Sequence, residues 1–445
     1  MRSLFLSCLV CICLATQAQP QAQPSRHVIV ISIDGLRPEM YLDPSRPTPN
    51  LQQLMKEGSY ALKMKSVFPS YTYPAHASML TGAFPATHQV CYNAPFEPVG
   101  SSGRWNWEAS LIKARTIWDA AKDAGLSTAS VNWPVSLGAP VTWIIPEVWP
   151  IKDGEDRISE ARKFSTPGLV EEIEKGETGP LTKENMNEEW PSMDENSGRM
   201  AAYIFRTYKP RLLTLHYAGV DGREHDEGRE GPKVPLALEA VDRSIGYLLE
   251  TVERAGLKDS TTILIVGDHG HMNFHSVLRP NIWLAKQGLL HSGAQWRVKF
   301  QPAGGSAFLY LQNPGDTAAL GQVKRLLQQA PASYRRLFRV IDKDELIKMG
   351  ADRNAVLALA AEPGIVFGGA SEGELLVGAT GGHHGYDPNF PEMFTGFIAA
   401  GSGINKGLVI PELCVVDMAP LLAKLLGIEF QAPDGVLVAG LIKKQ

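Results

Sequence analysis

HVIVISID, residues 27–34, is the stretch whose reading decides the fold. Its unbroken apolar, largely β-branched run has no polar face, which suits a strand buried on both sides in a parallel sheet, and it ends on an acid. RLLTLHYAGVD (211–221) and TTILIVGDH (261–269) repeat the design. Between such runs, ARTIWDAAKDAG (114–125) and EAVDRSIGYLLETVERAG (239–256) read as helices, each closed by a glycine that suits a helix C-terminus. The alternation predicts an α/β fold: a mostly parallel sheet with helices on both faces, forming a three-layer sandwich.

The chain has 445 residues and a formal net charge of −4, enough to build a large core. No Lys/Arg run suited to tracking a phosphate backbone occurs, which argues against dedicated binding of nucleic-acid polymers. Arg2, the apolar run LFLSCLVCICLA (4–15) and the small and polar residues that follow predict a signal peptide over about residues 1–22 and export to a periplasm or the exterior. The apolar run is shorter than the roughly 20 residues a spanning helix needs. Cys8, Cys11 and Cys13 leave with that peptide, and Cys91 and Cys414 are then available for one disulfide. Residues 23–445 read as one catalytic domain with two interruptions. The acidic, Gly/Pro/Asn-rich stretch at about 150–200 reads as a surface excursion near the site, and about 290–380 reads as a small α+β insertion with a strand in SAFLYLQ and a helix in TAALGQVKRLLQQA.

Ligands in open α/β sheets bind outside the carboxyl ends of the strands, so acids placed there carry most weight. Asp34, Asp221 and Asp268 each follow one of the buried runs. A single such acid is ordinarily a turn or cap residue, but here histidines accompany the three: His225 four residues after Asp221, His269 directly after Asp268, and His383 and His384 in GGHHGYD. Asp with neutral His suits zinc and its divalent neighbours. Near them in function stands Thr72, in FPSYTYPAHASMLTG (68–82), where a helix beginning at Pro74 is expected. Thr72 has two readings: an ordinary N-cap, or a nucleophile whose hydroxyl needs a metal or base to lose its proton.

SIDGLR (32–37), FPSYTYPAHASMLTGAFPATHQVCYN (68–93), DGREHDEGREGP (221–232), GDHG (267–270) and GGHHGYDP (381–388) occur in one fixed order. In this the chain resembles the nucleotide pyrophosphatase/phosphodiesterase family of the alkaline phosphatase superfamily, over about residues 27–438. The resemblance implies an alkaline phosphatase-like fold and two zinc ions, one held by Asp34, Asp268 and His269 with Thr72 touching it, the other by Asp221, His225 and His384. It implies that Thr72 is the nucleophile and that Asn93 donates to a phosphoryl oxygen. His383, His271 and His275 receive no ligand role from it and are expected as neighbouring or structural residues.

The resemblance further implies hydrolysis of a phosphodiester or pyrophosphate bond in a small nucleotide through a phosphothreonine ester. Tyr73, after the nucleophile, is the expected base-stacking residue, with Trp143 and Trp149 in VTWIIPEVWP (141–150) as an opposite wall. Tyr71 and Tyr73 depart from the residues usual beside the nucleophile, as does PAHASMLTG, and these changes bear on selectivity. Three alternatives stand beside this reading. A phosphomonoesterase on the same fold would need extra positive charge, for which Lys63 and Lys65 are the nearest candidates. A phosphonoacetate hydrolase-like enzyme shares the metal pattern. A secreted binding protein without activity would be expected to lack a ligand or the nucleophile.

Overall fold

The computed structural model describes residues 26–151, 155–186, 191–291 and 296–444; the signal peptide expected over about residues 1–22 lies outside the described residues. The strand His27–Ile33 sits near the middle of an eight-stranded sheet, hydrogen-bonded in parallel to Leu212–Tyr217 on one side and Thr261–Val266 on the other. All three strands are buried along their whole length, as their lack of a polar face requires. Thr128–Val131 and Trp143–Ile145 extend the sheet beyond Leu212–Tyr217, and Phe397–Gly401, Ser59–Ala61 and Val409–Ile410 extend it past Thr261–Val266. Phe397–Gly401 is the antiparallel member. Because the three central strands are parallel and in register, their carboxyl ends deliver Asp34, the Asp221 segment and Asp268 to one edge of the sheet.

Helices cover both faces. The excursion expected at 150–200 is corrected here: this stretch includes the helices Arg157–Phe164 and Leu169–Ile173 and enters the 18-residue helix Pro191–Tyr208. Met193, Met200, Ala201, Ile204 and Phe205 of that helix belong to the main hydrophobic core, where it lies against Val234–Arg254. Its apolar residues recur at helical spacing, but they begin just where the polar composition of the preceding segment ends, so composition alone masked them.

A second core lies under the segment 298–361. There Val298–Ala303, Ser306–Leu311, Leu357–Ala361 and Phe338–Ile341 form a four-stranded antiparallel sheet, with Thr317–Gln329 as its longest helix. Phe300, Phe308, Leu309, Val323 and Leu357 pack together at its centre. A three-stranded sheet of Met272–Leu278, Gly364–Phe367 and Leu376–His383 joins this layer to the main one. Within it Met272 pairs with His383, which brings the residues just before Met272 beside those just after His383. Cys91 and Cys414 are both free thiols, so the disulfide left open by the sequence is absent. Among the described residues no helix is long and apolar enough to cross a membrane.

Candidate metal centre and active site

Thr72 opens the helix Thr72–Thr81, two residues earlier than the expected start at Pro74. The cap position belongs to Tyr71 and carries no side-chain cap, so the capping reading of Thr72 is overturned. All ten residues of the helix are buried, and His76 ties it to the sheet: its Nδ1–H donates to the Thr72 carbonyl (2.7 Å) while its Nε2 accepts from the Ser32 hydroxyl (2.8 Å). Gly82 ends the helix at φ +63°, a left-handed cap that glycine adopts without strain. The Thr72 hydroxyl is directed instead at His269, 3.2 Å from Nε2.

His269 Nε2 also lies 3.3 Å from Asp34 Oδ1 and 3.3 Å from Asp268 Oδ2. These three residues and Thr72 thus converge on one point. A second cluster gathers on the helix Gly219–Glu227, where Asp221 and His225 stand four apart on one face, Oδ2 to Nε2 3.4 Å. His384 Nε2 approaches Asp221 Oδ1 at 3.7 Å, and His271 Nε2 approaches the same oxygen at 3.5 Å. The rings of His269 and His384 stack at 3.7 Å, so the two clusters are adjacent.

Both clusters fit a divalent cation on three counts. Bonds of 2.0–2.1 Å to tetrahedral ligands put neighbouring donor atoms about 3.3–3.4 Å apart, close to the spacings just described. Asp34 Oδ1, Asp268 Oδ2 and Asp221 Oδ1 are buried oxygens with no hydrogen-bond partner, a costly arrangement that a cation would relieve. The histidines are oriented as ligands: His225, His269 and His384 each turn Nδ1 to a backbone carbonyl, of Gly382 (3.0 Å), Gly270 (3.3 Å) and Ser70 (3.0 Å), which leaves Nε2 as the bare lone pair. Burial holds the pKa of His269 and His384 well below the ordinary imidazole value, so both stay neutral. Burial, opposed by the hydrogen bond with Asp34 and reinforced by the Asp221 carboxylate, raises the Asp268 pKa above the ordinary carboxyl value.

A cavity of about 540 Å³ opens over both clusters, lined by Asp34, Thr72, Asn93, Asp221, His225 and His384 among others. Asn93 Oδ1 accepts the Tyr73 N–H at 2.9 Å, which leaves its Nδ2 to donate. Of the three expected aromatic contacts, only Trp149 lines the cavity; its indole N–H donates to Glu147 (3.2 Å) and the Arg157 guanidinium lies 3.8 Å over its ring. Tyr73 is corrected to a fully buried core residue, edge-on to Trp105 at 5.5 Å. Trp143 is corrected too: it lies on the edge strand and stacks on Tyr208 at 4.5 Å, away from the cavity.

The wall residue that the sequence reading missed is Trp105, itself exposed, in the RWNW stretch. Arg223 was missed as well, although it stands inside the DGREH motif and lines the cavity next to Asp221. Lys63 and Lys65 are both held by Glu412, at 2.7 and 3.1 Å, and do not line the cavity. His275 is exposed, whereas His383 lines the cavity.

A family model described as type I phosphodiesterase/nucleotide pyrophosphatase matches residues 28–387. Human ectonucleotide pyrophosphatase/phosphodiesterase family member 7 is 26% identical across 96% of this chain and 87% of its own length, and the rat protein is 25% identical across 93% and 86%. Among solved structures, human ectonucleotide pyrophosphatase/phosphodiesterase 5 superposes with a TM-score of 0.66 over 92% of this chain and 97% of its own, at 20% identity. An inactive threonine-to-alanine form of the murine protein in complex with AMP gives 0.65 at the same identity. The model match runs through every ligand segment described above, and on it the chain belongs to the type I phosphodiesterase/nucleotide pyrophosphatase family.

Proposed function

We propose that this chain is an exported, two-zinc enzyme that cleaves phosphodiester or pyrophosphate bonds of small nucleotides, with Thr72 as nucleophile. The observation that carries the reading is the Thr72 hydroxyl, 3.2 Å from His269 Nε2 inside the Asp34–Asp268–His269 cluster and on the wall of the cavity. Asp34, Asp268, His269 and Thr72 would hold one ion, and Asp221, His225 and His384 the other. Bound there, divalent zinc lowers the pKa of a coordinated hydroxyl and neutralises phosphoryl charge. The leader-like N-terminus supports export, and relatives described as ectoenzymes agree with it.

The chain's own groups account for the remaining steps. Thr72 Oγ1 loses its proton to solvent in the cavity and attacks phosphorus, the bond to the leaving oxygen breaks, and that oxygen departs as a phosphate or takes a proton from solvent to depart as an alcohol, leaving a phosphothreonine ester. Water entering from the leaving-group side then breaks the Thr72 ester, so two in-line displacements give net retention at phosphorus. Asn93 donates Nδ2 to a phosphoryl oxygen, its orientation held by the Tyr73 N–H. The AMP bound by the murine relative supports a nucleoside monophosphate as the moiety retained.

The test is the ratio of kcat/KM for a nitrophenyl ester of thymidine monophosphate to that for nitrophenyl phosphate. A ratio well above one, with Thr72→Ala reducing kcat by at least about 10³-fold at unchanged zinc content, is expected. A ratio well below one, or a Thr72→Ala variant that turns over normally, would overturn the reading.

A further inference from the structure

Four histidines around the two clusters present Nε2 toward them. His225, His269 and His384 turn Nδ1 to a carbonyl oxygen and Nε2 inward. His271 faces a carboxylate instead: its Nδ1 is 2.9 Å from Glu224 Oε2, an ion-pair distance without hydrogen-bond alignment. Two lone pairs do not approach so closely without a proton between them, and the Arg37 guanidinium beside Glu224 favours its carboxylate form, which assigns that proton to Nδ1 and leaves Nε2 bare. Glu224 is wholly buried, and its other oxygen is 2.9 Å from Nε of the equally buried Arg37. Arg37 is braced in turn by Glu230 (2.7 Å) and the Arg229 carbonyl (3.0 Å). The packing is close: a Cβ at Gly35 would stand 2.5 Å from Glu224 Oε2.

The inward nitrogen of His271 meets Asp221 Oδ1 at 3.5 Å, and neither atom has a hydrogen-bond partner. Two lone-pair atoms facing each other in a dry interior repel unless a cation lies between them. Ligand atoms of Asp221, His225 and His271 all lie within 4.8 Å of one another.

Two other histidines lack this combination, the buried His216 and the partly exposed His383, although His383 also groups with His225 and His384. His383 accepts the His384 N–H at Nδ1 (3.0 Å), which puts its ring hydrogen on Nε2, where a ligand would need the lone pair. His216 Nε2 faces Asp34 Oδ2 at 3.4 Å, but His216 joins no group of three or more ligand atoms among the described residues.

We propose that His271 is a further protein ligand of the second metal, beside Asp221, His225 and His384, with Glu224 and Arg37 holding its ring in place; this rests on the two-metal reading above. Four protein donors would fill the tetrahedral set of the resting ion, so a phosphoryl oxygen would enter as a fifth ligand. A fourth donor makes the second ion the harder of the two to strip, although its Asp221–His225 face borders the open cavity.

The experiment compares the full-length protein with His271→Gln and Glu224→Gln, by zinc content, by competition with a chelator, and by the visible spectrum after exchange to cobalt(II). The expected result is two zinc ions in the parent. His271→Gln should weaken one of the two by about 100-fold or more, with loss of the strong tetrahedral cobalt absorption. Glu224→Gln should weaken the same site by about 10–100-fold while keeping that absorption. Zinc K-edge scattering from the unaltered protein provides a reading that needs no variant to fold: four imidazoles shared by two ions are expected, against three without His271. Unchanged zinc affinity and cobalt spectrum in His271→Gln, or a count of three imidazoles, overturns the proposal alone. Fewer than two zinc ions in the parent would overturn the two-metal reading, and this proposal with it.

Discussion

At the scale of single residues, the site turns on which atom each side chain presents. Asn93 shows the point: its Oδ1 is committed to the Tyr73 N–H, so the amide can only donate toward the cavity. Asn93→Ala should therefore lower kcat by about 10²–10³-fold with little change in zinc content, as for loss of one donor to a developing oxyanion. Steady-state kinetics beside metal analysis would check it, and a loss confined to zinc content would assign Asn93 a structural part instead. Strand-end acids and histidine spacing pointed to Asp34, Asp221, Asp268, His225, His269 and the His383–His384 pair, whereas the role of Thr72 and the choice of His384 came from the family resemblance. Tyr73 and Trp143 were misread because an aromatic ring's neighbours depend on the direction of its Cβ, which is invisible until the strand and helix are placed.

At the scale of elements, the Gly219–Glu227 helix is held by a residue distant in sequence. Asp194, buried on the Pro191–Tyr208 helix, accepts the N–H groups of Ala218 (3.2 Å) and Gly219 (3.0 Å) at that helix's start. Its carboxylate also suits the positive end of the helix dipole. Burial, outweighing those hydrogen bonds, raises its pKa to about 6 from the ordinary 3.8. The folded state thus holds this proton more tightly than the unfolded chain does. The resulting stability is fully present below about pH 4 and is lost as pH rises through about 6. In metal-free protein, the unfolding free energy of the parent relative to Asp194→Asn should fall by about 1.4 kcal/mol per pH unit within that window. Urea titrations at several pH values measure it, and parallel pH profiles would refute it.

At the scale of the whole molecule, charge placement decides between substrate classes. Lys63 and Lys65 are the cations nearest Thr72 in sequence, yet Glu412 holds both away from the cavity. Lys63→Ala and Lys65→Ala should each leave kcat/KM for a phosphodiester within about twofold, the effect of an exposed ion pair being small. Among the described residues Arg223, 3.6 Å from Asp226, is the arginine on the cavity wall. Arg223→Ala should reduce kcat/KM for a pyrophosphate substrate, whose leaving group is anionic, by about tenfold more than for a neutral nitrophenol leaving group. Parallel assays with the two substrates decide it, and equal losses on both would place Arg223 outside leaving-group recognition.

What the sequence by itself determined is the parallel sheet and the acids at its edge. A strand buried on both faces must be apolar throughout, and ligands in open α/β sheets bind outside the strands' carboxyl ends, so both features are written locally. The helix Pro191–Tyr208 was hidden because its polar approach dominated the composition of that window, although its apolar period was present. Only the tertiary structure decided the surroundings of the second cluster. The pairing of Met272 with His383 brings His271 beside Asp221 and His384, and the cap from Asp194 reaches its helix across 24 residues of chain. These contacts join segments far apart in the chain, and no local spacing encodes the distance between them.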